Sequence, residues 1–543
     1  MLVGLEKKGG RVKSGIYRWY VLGLLTVIYM FNFLDRQIIT ILAPALKADL
    51  ALSDAQLGLL FGTAFALFYA LFGIPLAKLA DGWNRVKTIS LGLTFWSGMT
   101  ALSGFASNFI QLGAARVGVG IGEASASPAA YSLIQDYFPR EKRATALAIY
   151  SSGIYLGVGA SLVFGGAVVA YWAANYTELT EPFGLAGWQA TFLAFGIPGL
   201  LLALLLFLTV REPVRGAIDG LTSPGEPRPF RAVGRELGAM FPPFSMVGLA
   251  RRKASGPLVA NIIALLVCVL AAVLLIRWTD SLLPPAKRAP IGELGGFVIT
   301  TNVVQWVAIA IGAYCSFSWL QSIRERDRPT SELMGNRTFL MLSLGGGLTS
   351  FASYGISPFI VLYAAQSFGV DPREAGFTLG ATLAIAGCFG TILGGVLGDI
   401  ARRAHPAGRL YLVIFAGLAS ACFLVLMMTT SSFTVYYLAL GATTFVQIMW
   451  LGPVAASCQD LVLPRMRGAA TAVFFLGTNI IGLGLGPYVT GLVSDVTGNL
   501  QFAMLSILFV LPVSLTLFFF AARSLPRMEA TAVERARAAG EGV

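Results

Sequence analysis

Apolar runs about 20 residues long recur along this 543-residue chain from Tyr20 to Ala522, and that recurrence constrains its fold more than any other feature. A helix of about 20 residues crosses the hydrocarbon core of a bilayer, where each backbone N–H and C=O must be satisfied inside the element itself. Fourteen such helices are expected, at 20–42, 56–80, 87–107, 110–137, 144–173, 188–210, 257–276, 296–320, 338–366, 374–400, 410–430, 432–461, 468–494 and 499–522. With 56% hydrophobic and 12% charged residues, the composition excludes an ordinary soluble domain. The chain reads as an all-α polytopic membrane protein.

An even number of spans puts both termini on one side of the membrane. Of the 39 Lys and Arg, 32 fall on that side, five on the other (Lys47, Arg277, Lys287, Arg288, Arg373), and Arg36 and Arg116 within spans. The positive-inside rule therefore makes both termini cytoplasmic, with the protein in the inner (plasma) membrane. The net charge of +12 is accounted for by this topology and not by a nucleic-acid partner. The opening MLVGLEKKGGRVKSG lacks an apolar core and a small-residue cleavage site, so the first span reads as retained. Cys268, Cys315, Cys388, Cys422 and Cys458 lie in apolar spans without CxxC spacing, and His405 in a short loop, so no metal, disulfide or cofactor is expected.

Two segments from opposite halves share one layout. SPAAYSLIQDYFPREKRATALAIY (127–150) and GPVAASCQDLVLPRMRGAATAVFF (452–475) both run from a small residue and Pro through Gln-Asp to Pro-Arg and Ala-Thr-Ala. KLADGWNRVK around Asp81 and GVLGDIARRA around Asp399 form a second pair. Asp81 and Asp399 are 318 residues apart, Asp136 and Asp460 are 324 apart, and so near-constant an offset marks a parallel duplication. Two six-helix halves so related are the layout of major facilitator transporters. The division expected is a tail at 1–19, a six-helix bundle at 20–211, a linker at 212–256, an inserted helix pair at 257–337, a second bundle at 338–522 and a tail at 523–543. FRAVGRELGAMF in the linker reads as an amphipathic surface helix.

Away from span ends, four ionisable groups remain inside the membrane: Asp35 and Arg36 on the first helix, Arg116 and Glu123 on the fourth. Each costs about 2.5 to 3.5 kcal/mol at the bilayer centre on insertion scales, so they must face one another or a wet cavity. Arg116 and Glu123 are two turns apart on one face, whereas Asp35 and Arg36 diverge by about 100°. One of the adjacent pair can meet the fourth helix while the other faces a substrate. A purely structural ion pair is the competing reading, and the absence of such charges from the second half weighs against it. Gly118, Gly120 and Gly122 let a helix or ligand approach the fourth span closely. A dinucleotide loop is excluded there, because no strand precedes them.

NFLDR, KLADGWNRVK and RVGVGIGEASASPAAYSLIQDYFP, in that order, resemble the Spinster family of major facilitator transporters, most strongly from Asn32 to Gly166. The resemblance implies a twelve-helix core with alternating access and amphipathic lipid substrates such as sphingosine 1-phosphate or lysophospholipids. It also implies a polar cluster of Asp35, Arg36, Arg116 and Glu123, with protons as coupling ion. Ala77 and Gly82 depart from the family's cytoplasmic signature, and the inserted helix pair is not part of its usual core.

Asp35 and Glu123 are expected to couple protons, and Arg36 or Arg116 to hold an anionic head. Gln447, Asn479 and Trp450 are expected to line the second-half wall, among apolar neighbours that suit a tail. The alternative is an organic anion or sugar-acid proton symporter, which shares the charged pair. Asp81 with Arg85, and Asp399 with Arg402, are expected to latch the cytoplasmic ends together when the cavity opens outward. Because no nucleophile–base pair, metal cluster or phosphate loop is legible, an enzyme is excluded. A monomer in the lipid bilayer, binding a small amphipathic substrate, is the expected state.

Overall fold

The structure, a computed structural model, describes residues 14–177, 180–215, 218, 227–288 and 290–541. Most of the expected N-terminal tail and part of the linker lie outside the described residues. The first half is six helical rods: α1 (Ser14–Leu50), α2 (Asp54–Phe61) continuing past a break at Gly62 as α3 (Thr63–Gly82), α4 (Arg85–Ser103), α5 (Phe109–Glu123) continuing as α6 (Ala126–Tyr137), α7 (Arg140–Asn175) and α8 (Gly187–Thr209). The linker holds α9 (Pro229–Met240) and α10 (Phe244–Arg251). The inserted pair is α11 (Ser255–Leu282) and α12 (Thr301–Arg326), joined by an antiparallel hairpin of β1 (Pro290–Leu294) and β2 (Phe297–Thr300) that the sequence reading did not anticipate. Gly295 and Gly296 turn this hairpin with positive φ, a conformation open to glycine without steric cost.

After α13 (Arg328–Met334), the second half repeats the six rods: α14 (Arg337–Ile356) with α15 (Ile360–Phe368), α16 (Pro372–Ala404), α17 (Gly408–Thr429), α18 (Phe433–Gln447) with α19 (Leu451–Asp460), α20 (Arg467–Gly477) with α21 (Gly486–Thr497), and α22 (Leu500–Ser506) with α23 (Leu511–Ala530). The chain ends in α24 (Ala532–Ala538). Residues 478–485, between α20 and α21, form a π-helix. Side chains cap the rods where they leave the apolar region: Asn84, Asn108, Asn336 and Asn499 each accept a hydrogen bond from the first turn, and Ser53 with Gln56 forms a capping box.

Among the described residues, twelve segments are long and apolar enough to span a membrane. They include the inserted pair and leave out two of the fourteen expected spans, those folded as α4 and as α5–α6. The physical reason is plain. Helix α4 is 19 residues long and rich in Ser and Thr, while its neighbour is interrupted at 124–125 and carries Arg116 and Glu123. Both pack within the first bundle, α4 between α5 and α8.

The duplication is visible in the ion pairs at the end of the molecule that bears the termini. Arg85, at the start of α4, pairs with Asp136, and Arg409, at the start of α17, pairs with Asp460 at 2.8 Å. Both members of the second pair lie 324 residues beyond their counterparts.

The halves meet firmly at the opposite, distal end. Gly166 of α7 and Gly376 of α16 allow backbone contact there: a Cβ on Gly376 would stand 3.2 Å from the Gly166 Cα. The Asp495 carboxylate of α21 accepts the backbone N–H groups of Asp54 (3.0 Å) and Ala55 (2.9 Å), capping α2 across the interface. Ser494 donates to Asp54 Oδ2 at 2.6 Å, and Lys47 pairs with Asp54. A cavity of about 460 Å³ opens beside this junction, lined by Ser53, Asp54, Gln56, Lys287 and Asp495.

Candidate functional site: a buried charge cluster between α1 and α5

Asn32 and Arg36 lie one helical turn apart on α1 and so share a face. On that face Arg36 Nη2 donates to Glu123 Oε2 of α5 at 3.0 Å and to Asn32 Oδ1 at 3.5 Å. Three aromatic rings surround the guanidinium: Phe33 and Phe65 at 4.5 Å and Tyr69 at 4.8 Å. Cation–π attraction of this kind offsets part of the desolvation cost of a buried cation. From the second half, Tyr354 of α14 faces the same arginine.

Arg116 does something different. Its Nη1 donates to the Asp35 carbonyl oxygen at 2.9 Å and its Nη2 to the Arg36 carbonyl at 3.4 Å, so it clamps the backbone of α1. The Asp35 side chain diverges from Arg36, as the 100° step requires, and lies fully buried beside Trp96 and Thr100 of α4. Its oxygens face Trp96 Nε1 and Thr100 Oγ1 without a close hydrogen bond, and Glu123 Oε1 lacks a partner. Burying an ionised carboxylate is costly where its oxygens are incompletely paired, as at Asp35, so protonation there is a lever on the local energetics.

The glycines of α5 are met by neighbouring helices: a Cβ on Gly120 would strike the Phe65 carbonyl of α3, and one on Gly122 would strike Trp96 of α4. Close approach of backbone, not of a ligand, is what they permit here. The four charges are thus brought together, with Arg36–Glu123 as the direct ion pair and Arg116 held on carbonyls.

The expected second-half residues stand apart from these bonds. Trp450 is buried with its ring 6.2 Å from that of Phe474, while Gln447, at the end of α18, and Asn479, in the π-helix, are half-buried. Of the four expected latch residues, Arg85, Asp399 and Arg402 form ion pairs within their own half, and not with the partners expected for them. Arg85 is fully buried and donates to Glu212 at 2.7 Å, Ser132 Oγ at 2.8 Å and Asp136. Asp81 is exposed. In the second half Asp399 pairs with Arg409 at 2.8 Å, and Arg402 with Glu529.

Sequence reasoning missed Asn32, Phe33, Phe65 and Tyr69 as partners of Arg36. Asn32 was findable from its i, i+4 spacing; the α3 aromatics were not, because the contact spans two rods.

Two bundles built on one repeat, enclosing charges deep in the membrane region, define a secondary transporter of the major facilitator class. The sequence model described as Major Facilitator Superfamily matches residues 25–487 and 342–540, and the chain belongs to that superfamily. The crystal structure of a bacterial homologue of the human lysosomal transporter Spinster, inward-facing and unoccupied, is similar at 27% identity and a TM-score of 0.68, covering 95% of this chain and 99% of that one. An MFS-type efflux pump of Mycolicibacterium smegmatis is 24% identical over 88% of this chain and 84% of its own. A probable galactarate/D-glucarate transporter of Bacillus subtilis, GudP, is 31% identical over 37% of this chain and 42% of its own. The protein is a membrane transporter, not an enzyme.

Proposed function

We propose that this transporter carries an amphipathic anionic lipid of the lysophospholipid or sphingosine 1-phosphate kind, coupled to protons through the Arg36–Glu123 pair. One observation carries the reading: Arg36 is bound to a carboxylate that has a second, unpartnered oxygen, with both side chains buried. Protonating Glu123 removes the charge that holds Arg36 and frees its planar donors for a phosphate or carboxylate head. Losing the proton restores the pair and expels the anion. Proton and anion therefore favour each other on the same site. Asp35 acts as the second titrating acid, and Arg116 keeps α1 in register for the exchange.

The tail would lie against the second half, near Trp450, Gln447 and Asn479, where each buried methylene adds about 0.8 kcal/mol. Fourteen spans, cytoplasmic termini, a plasma-membrane location and a monomeric state complete the reading, with Asp81, Arg85, Asp399 and Arg402 near the cytoplasmic gate. A sugar-acid symporter is the second reading, favoured by the local similarity to the galactarate/D-glucarate transporter. Uptake into proteoliposomes separates the two. A lipid carrier gains affinity with acyl-chain length, whereas preference for a sugar acid with no chain-length effect overturns the lipid assignment.

A further inference from the structure

The inserted pair is not a passive appendage. Helix α12 lies along the seam between α2–α3 of the first half and α20–α21 of the second, touching both. At the distal end the Tyr488 hydroxyl of α21 donates to Asn302 Oδ1 at 2.6 Å, and Asn302 in turn donates to Asp280 of α11 at 2.7 Å. The Trp306 ring packs edge-on against Tyr488 at 5.8 Å. One turn further in, Gln305 Nε2 donates to the Gly484 carbonyl at 3.2 Å, at a place where π-helical geometry alters the backbone pairing. The Thr63 hydroxyl, just past the break at Gly62, meets both Gln305 Oε1 at 2.6 Å and the same Gly484 carbonyl. Asn302, Gln305 and Thr63 are at most 1% exposed.

Toward the second half α12 is held by Tyr488 and the Gly484 carbonyl; toward the first half it is held by Thr63 and packs along α2 and α3. We infer that the inserted pair is a strap across the distal gate, and that Gln305 is a positioning residue which, with Thr63, ties the halves through the Gly484 carbonyl and holds them closed on this seam. Distal opening then requires the Thr63–Gln305–Gly484 bridge to break. The same placement blocks the bilayer side of the α2–α21 seam, so an apolar tail cannot slip in there while the strap is shut.

The test uses full-length protein in nanodiscs with spin labels read as distance distributions. Labels on the exposed residues Ala48 and Val496 report the distal gate. Gln305→Leu and Thr63→Val each break the bridge at similar volume, keeping the inference testable if one variant misfolds. Loss of the bridge should raise the distal-open population about five-fold in either variant, and the double variant should gain less than the product of the two. Open populations equal to the parent's in both variants, or fully additive effects, would overturn the inference.

Discussion

Arg36 and Glu123 form a 3.0 Å ion pair in which the side chains are 5% and 0% exposed, and one oxygen of the acid is left without a partner. A pair so placed is easily broken by a proton and restored by its loss. Glu123→Gln is therefore expected to keep substrate binding while removing its pH dependence, since the arginine is then released at every pH. In the parent, binding of the anion should strengthen as pH falls. Binding isotherms for both proteins between pH 5 and 8 check this.

Arg116 is expected to behave as a structural clamp. Arg116→Gln should lower the melting temperature in detergent, because two carbonyls lose a charged donor worth about 1.5 to 3 kcal/mol per bond. Arg36→Gln should instead affect substrate binding more than stability, as Glu123 can then be neutralised by a proton. Equal melting temperatures with unequal binding losses in the reverse order would contradict the assignment.

Much of this arrangement was legible in the sequence because membranes make polar residues conspicuous. The four charges stood out against apolar spans, and the 324-residue offset of Asp136 and Asp460 recurs in Arg85 and Arg409. What stayed hidden depends on contacts between distant rods. Whether Arg116 reaches a carboxylate or a carbonyl is set by its rotamer and by the depth of α5 against α1, neither of which is periodic. Thr63 and Gln305 lie 242 residues apart and carry no motif. The break at Gly62 and the π-helix at 478–485 likewise look like ordinary apolar helix in the sequence. The inserted β-hairpin, PIGELGGFVIT, offered a Gly-Gly turn signal that the apolar pattern of the following span obscured.

The networks at the end that bears the termini differ in burial, and so should their mutants. Arg85 is fully buried against Asp136 and Glu212, so Arg85→Gln should cost about 3 kcal/mol by removing the buried cation that both acids face. Arg409 meets more exposed partners, Asp399 at 65% and Asp460 at 29%, and Arg409→Gln should cost about 1 kcal/mol or less. Chemical denaturation in one detergent compares them directly.

Backbone contact between Gly166 and Gly376 should be intolerant of bulk. Gly376→Val is expected to destabilise the distally closed state by about 1 to 3 kcal/mol through overpacking, and so to raise the distal-open population at least several-fold. Reactivity of a cysteine placed near the distal junction, with a membrane-impermeant reagent, reads this out.

The C-terminal end is docked by Arg465, which pairs with Asp327 at 2.7 Å and with Glu541. Its hydrogen bonds hold both carboxyls below their usual range. Because the folded values are depressed, this docking is present above the ordinary carboxylate range and is lost only as pH falls beneath it, under about pH 4. Hydrogen exchange in α24 should be unchanged in opening free energy from pH 5 to 8.

The central claim, that a proton on Glu123 and a lipid anion on Arg36 share one site, is met most directly by counterflow in proteoliposomes with lysophospholipids of increasing acyl length, with and without an inward proton gradient. The account predicts uptake that rises with chain length, is driven by the gradient in the parent, and loses that drive in Glu123→Gln while exchange continues. Uptake independent of chain length, or a gradient response that survives in Glu123→Gln, would contradict it.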